Sequence, residues 1–129
     1  MYLIRRKGTQ MPKYCEKYKK GSLEMLFLKL LSEGDFYGYE LAKLFNHLSD
    51  NVITLSAGNM YPTLYKLEEK GYIRSYEKTV GKRMKRVYYH LTDEGRKELQ
   101  EMLGDYERVV NATNAILNFR REKLKEMIL

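Results

Sequence analysis

At 129 residues and 43% hydrophobic content, the chain is long enough for one domain with a core and too short for two ordinary ones, which argues against global disorder. Its net charge of +7 is uneven: residues 1–20 carry +6 and residues 74–86 carry +5, leaving −4 over the rest, and charge focused in this way attracts a polyanion. The lone Cys15 excludes an intrachain disulfide and a multi-thiolate metal site, and no apolar run approaches the roughly 18 residues of a membrane span.

In chain order, residues 1–20 lack periodicity and read as a basic N-terminal arm, in part helical from Lys13 to Lys20. The arm is not followed by an apolar block of signal-peptide length, so a cytoplasmic location is expected. Ser22 is placed to cap a first helix, whose Leu23, Leu26, Phe27, Leu30 and Leu31 recur at helical spacing until Gly34-Asp35 stops it. Tyr37, Leu41, Leu44, Phe45 and Leu48 form the stripe of a second helix, and Ser49-Asp50-Asn51 is turn chemistry.

Ser56 is expected to cap a third helix with Met60, Leu64 and Leu67 inward and Asn59, Thr63, Lys66 and Lys70 outward. Pro62 leaves two readings open there, a helix starting nearer Tyr61 or one that bends. After Gly71 the period changes. Tyr72 to Val80 and Arg86 to Leu91 are strand-like, and Gly81-Lys82-Arg83-Met84-Lys85 between them reads as the basic tip of a hairpin. Thr92 caps a long last helix, in which Gly95 and Gly104 are weak points by propensity. Its stripe of Leu99, Leu103, Tyr106, Val110, Thr113 and Leu117, flanked by Met102, Val109 and Ile116, is broad, and the helix is expected to run on through Leu124 to Ile128.

Three helices, a hairpin and a long helix make a mainly α fold with a small β-hairpin. It divides into an arm (1–20), a winged helix-turn-helix head (21–91) and a C-terminal dimerisation helix and tail (92–129). The third helix would enter the major groove, with Asn59 and Thr63 facing bases and Tyr61 and Lys66 facing phosphates. Lys82, Arg83, Lys85 and Arg86 of the wing would lie along the backbone or in a minor groove. The last helix has more apolar face than so small a head can bury, which points to a homodimer matched to a two-fold operator. The bland alternatives are ordinary exposed residues on the third helix, solvated loops in the basic segments, and a last helix packed only on its own head.

Three stretches carry a family resemblance: GDFYGYELAKLF from Gly34, SAGNMYPTLYKLEEKGYI from Ser56 and RVYYHLTDEGRKEL from Arg86. Over about residues 21–118 the chain resembles the PadR family of bacterial transcriptional regulators. The resemblance implies a winged-helix dimer, in most cases a repressor, without catalytic residues or cofactor. It places the DNA contacts at Ser56, Asn59, Tyr61, Thr63 and the basic residues among 82–86. It also implies a small aromatic effector such as a phenolic acid or a cationic drug. In the shorter-tailed branch such a ligand sits in a pore at the dimer interface, and Tyr106, with Met25, Leu103 and Val110 around it, would stand there. The chain has no Trp to stack a flat ligand, and it departs from the family pattern in two places: Met84 and Val87 interrupt the wing's charges, and the basic arm is longer than the pattern needs. The arm is expected to follow DNA phosphates.

Other functions remain open on residues alone: a winged helix that binds RNA or nucleic acid generally without effector control, or a protein-interaction module. An enzyme is not expected. His47 and His90 lie far apart with no metal-ligand spacing, and the chain carries no Gly-rich phosphate loop or nucleophile elbow.

Overall fold

Apolar residues spaced by three and four from Leu23 onward form α2 (Leu23–Ser32), and this helix is enclosed nearly all round: Met25, Phe27, Leu28 and Leu31 are buried, while Leu23, Leu26 and Leu30 pack at the edge of the same core. The structure, a computed structural model, describes residues 13–128. Around α2 lie α1 (Cys15–Lys19), β1 (Phe36–Tyr37), α3 (Gly38–Leu48), α4 (Ala57–Glu69), β2 (Ile73–Val80), β3 (Met84–Leu91) and α5 (Asp93–Leu117). A 3-10 turn at Arg121–Lys123 and α6 (Leu124–Ile128) end the chain. The core joins α2 to Leu41 and Phe45 of α3, Met60, Leu64 and Leu67 of α4, Ile73, Tyr89 and Leu91 of the sheet, and Leu99 of α5. This is the winged helix-turn-helix fold.

The sheet is antiparallel in the order β1-β3-β2. Two strands follow the expected hairpin, whose three-residue turn Gly81-Lys82-Arg83 uses Gly81 at φ +69. The third strand was not expected. Phe36 pairs with Tyr89 and Tyr37 with Tyr88, so Tyr37 belongs to β1 and precedes α3 instead of joining its inner stripe.

Local hydrogen bonding accounts for the boundaries. Ser56 caps α4 by accepting from the Asn59 N–H at 3.2 Å, and Thr92 caps α5 by accepting from the Gly95 N–H at 3.0 Å. Ser22 does not cap α2. Its backbone is already helical, and its hydroxyl donates back to the Lys19 carbonyl at 2.6 Å, tying α1 to α2. Asp50 and Asn51 take left-handed backbone at the helix-turn-helix turn, where the Ser49 hydroxyl donates to Phe45 O at 2.6 Å and accepts from Ile53 N–H at 2.9 Å. Pro62 lies inside α4, so the helix neither starts at Tyr61 nor stops at the proline. The last helix ends at Leu117 rather than continuing to Ile128, because Arg120 is extended and α6 starts afresh. Most of the expected arm, residues 1–12, lies outside the described residues; Cys15–Lys19 is helical as anticipated. Among the described residues no helix is long and apolar enough to cross a membrane.

Asp35 fastens the base of the wing. One carboxylate oxygen accepts from the Tyr76 hydroxyl at 2.8 Å, and the other lies 2.8 Å from His90 Nδ1. Partial burial works against the charged carboxylate, but these hydrogen bonds and the charges of His90 and Arg74 outweigh it, holding the Asp35 pKa below its ordinary value. A carboxyl lowered by folding adds stability that is present above its unfolded pKa and is lost as pH falls through the folded one. Asp35→Asn should therefore destabilise the fold at neutral pH and by progressively less in acid. Urea midpoints measured at several pH values check this, and a variant deficit constant across the acid range would remove the tie.

Candidate nucleic-acid interface

Helix α4 presents three different surfaces. Met60, Leu64 and Leu67 are buried, which turns Gly58, Pro62, Tyr65 and Glu69 outward on the opposite side. Asn59, Thr63, Lys66 and Lys70 form one flank, and Tyr61 stands on the other. Pro62 takes away the N–H that would otherwise reach the Gly58 carbonyl, near the exposed N-terminal end. Asn59 and Lys66 are exposed as expected. Thr63 is half-buried, and its hydroxyl donates to Asn59 O at 2.8 Å, leaving a methyl and a lone pair as what it can offer a base. The Ser56 oxygen is used as a cap, so its remaining capacity is its proton and one lone pair.

Tyr61 is 50% exposed, which makes it neither core nor a free tip. Its hydroxyl lies close to the first residue of α3: a Cβ added at Gly38 would come within 2.9 Å of Tyr61 Oη. The start of α3 thus seats the ring beside α4. Tyr65, 69% exposed on the outward side, joins these residues although the spacing argument did not include it; its place one turn after Tyr61 follows from the helical period.

The wing separates four cations that the sequence groups together. Lys82 and Arg83 occupy the exposed turn. Lys85 and Arg86 are in β3 and alternate in side. Lys85 shares its face with the buried Tyr89 and Leu91 further along the strand and comes within 3.9 Å of Glu77 Oε2. Arg86 lies on the outer face with its guanidinium 4.5 Å above the Tyr37 ring. A guanidinium stacked in this way keeps its edge donors free for phosphate while losing rotamer freedom. Tyr37, Tyr88 and Tyr76 follow as a cross-strand row, with ring centroids 5.5 and 5.7 Å apart, and Lys78 stands 5.5 Å over Tyr88. The partnership of Arg86 and Tyr37 depends on the pairing of β1 with β3, about fifty residues apart in the chain, and has no local signature.

Helix α5 starts inside the head and leaves it. Leu99 is 2% exposed within the protomer's own core, which removes it from an exposed seam. Leu103 and Val110 are half-buried, whereas Tyr106, Val109, Thr113, Ile116 and Leu117 are exposed along one side. Met25, placed by expectation in an effector pocket, is buried in the core, so in a single protomer Tyr106 alone of that set is exposed. Among the described residues no group of three or more His, Cys, Asp or Glu side chains is placed to hold a metal ion.

A model of the transcriptional regulator PadR-like family matches residues 27–101. A Lysinibacillus sphaericus protein without assigned function is 30% identical over 90 residues, covering 70% of this chain and 83% of its own. A Clostridium thermocellum transcriptional regulator superposes with a TM-score of 0.71 at 31% identity, over 77% of this chain and 96% of that one. Bacillus subtilis PadR, a negative transcriptional regulator, is 30% identical over 81 residues, and this chain spans 44% of its length. Its structure in complex with operator DNA superposes with a TM-score of 0.60 at 29% identity, over 64% of this chain and 46% of that one.

Proposed function

We propose, from the premise that the chain belongs to the transcriptional regulator PadR-like family, that it represses transcription as a homodimer on a two-fold operator. As a member it is a DNA-binding transcriptional regulator and not an enzyme. The observation that carries the finer reading is the exposure of Asn59, Tyr61, Tyr65 and Lys66 on α4, together with an exposed hairpin turn bearing Lys82 and Arg83. Asn59 offers an amide able to pair with adenine in the major groove. Lys66, Lys82, Arg83, Lys85 and Arg86 supply charge for phosphates, which sets position without reading sequence. Repression is supported by the negative regulator PadR of B. subtilis, and operator binding by the DNA complex of that protein. A duplex partner in turn favours a cytoplasmic location. Effector control rests on Tyr106 alone and would need the partner's α5 to complete a pocket.

Selection of bound duplexes from a random pool tests this reading, and a two-fold sequence is the expected product. On that operator, Asn59→Ala should relax preference at one position per half-site by about 1–3 kcal/mol. Arg83→Ala with Lys85→Ala should weaken specific and random duplex alike and lower the salt slope by about 2. Identical behaviour of the two variants on specific and random DNA would refute this division of roles.

A further inference from the structure

A groove of about 920 Å³ runs along the flank of α4 on the side away from Tyr61. Asn59, Thr63 and Lys66 form one wall, and Lys17, Lys19 and Lys20 of α1 and its following turn form the other. The groove exists because α1 is held in place: the chain turns at Gly21 with φ +88, and the Ser22 hydroxyl and N–H both donate to the Lys19 carbonyl. The segment read from sequence as a basic arm therefore ends, next to the head, as a structured wall.

The groove carries five lysines and two glutamates. Lys19 pairs with Glu16 at 2.6 Å and Lys70 with Glu24 at 3.4 Å. Lys17, Lys20 and Lys66 have no carboxylate within 4 Å among the described residues and are exposed. From this placement we infer that the groove between α1 and α4 is a second track for the sugar-phosphate backbone of duplex DNA, with Lys17 and Lys20 contacting phosphates beside the base step read from Asn59.

The inference rests on the operator reading above. A duplex whose base edges meet Asn59 must carry one strand past that flank, and the groove receives it there. The occupant is polyanionic because the rim is lysine, and it is a nucleic acid backbone because one entire wall is the recognition helix. An acidic peptide fits the charge but gives no role to the shared wall.

The experiment uses the full chain and its selected operator. Lys17→Gln with Lys20→Gln should lower the slope of log affinity against log salt by about 2, equally on operator and random duplex, without changing base preference. Circular dichroism and melting temperature should match the unsubstituted protein, since both side chains are exposed. An unchanged slope with intact operator binding would overturn the groove while leaving the operator reading in place. Failure of the unsubstituted protein to bind any duplex would overturn the reading beneath it. Tighter DNA binding by the variant would assign α1 to obstruction of α4, and preference of the unsubstituted protein for polyglutamate over duplex at equal charge would assign the groove to an acidic peptide; either result overturns the inference.

Discussion

Gly95→Ala should destabilise the chain by about 3 kcal/mol, near the upper end of what one added methyl does in a packed site. A Cβ built there would stand 2.0 Å from the Tyr72 carbonyl oxygen and 2.7 Å from Leu91 Cδ1. The carbonyl cannot retreat without loss, because it accepts the Thr92 N–H at 3.1 Å, while the Thr92 hydroxyl donates to Gly71 O at 2.7 Å and accepts from Gly95 N–H. The end of α4, the start of β2 and the cap of α5 are thus closed in one place. Thermal melting checks this, with an expected fall of roughly ten degrees or more. Gly104→Ala is the control: a Cβ there meets nothing within 4 Å, and in mid-helix the change should stabilise by about 0.5–1 kcal/mol. Two variants that melt alike would show that Gly95 is not a close-packing site.

Val109→Glu with Ile116→Glu should convert the proposed dimer to monomer. Both residues are on the exposed side of α5, at 64% and 75% exposure, so the protomer folds without them. In a two-fold seam each new carboxylate would be buried without a partner, at about 3–5 kcal/mol apiece, which raises the dimer dissociation constant well beyond a hundredfold. Operator affinity should fall with it, because a monomer holds one half-site. Val110 is a poorer choice, since it is already half-buried against its own protomer and its loss would mix folding with association. Sedimentation velocity decides: a double variant that still runs as a dimer removes this face from the seam.

The parts of the fold legible in the sequence are those fixed within a few residues. Ser56 and Thr92 act as caps because the groups they satisfy lie three positions on. The left-handed pair Asp50-Asn51 and the Gly81 turn are likewise local. What escaped depends on distant pairing. The β1 strand is two residues long and exists only against β3, so Tyr37 read as helix and its partnership with Arg86 stayed hidden. Gly95 read as a flaw in a helix because propensity knows nothing of Tyr72. Leu99 read as seam because periodicity marks an apolar stripe without saying where the head ends and solvent begins. On α4, Asn59 and Lys66 were placed outward from spacing alone, and Tyr65 belonged with them by the same rule.

Helix α5 is one unbroken element that is rooted in the head at Leu99 and still exposed at Ile116. At about 1.5 Å per residue, some 25 Å of rigid rod separates those two points. In the proposed dimer the rod works as a ruler. The distance between the two reading heads is set by how many residues lie between head and seam, and the half-site interval on DNA is therefore a property of helix length as much as of the residues that touch bases.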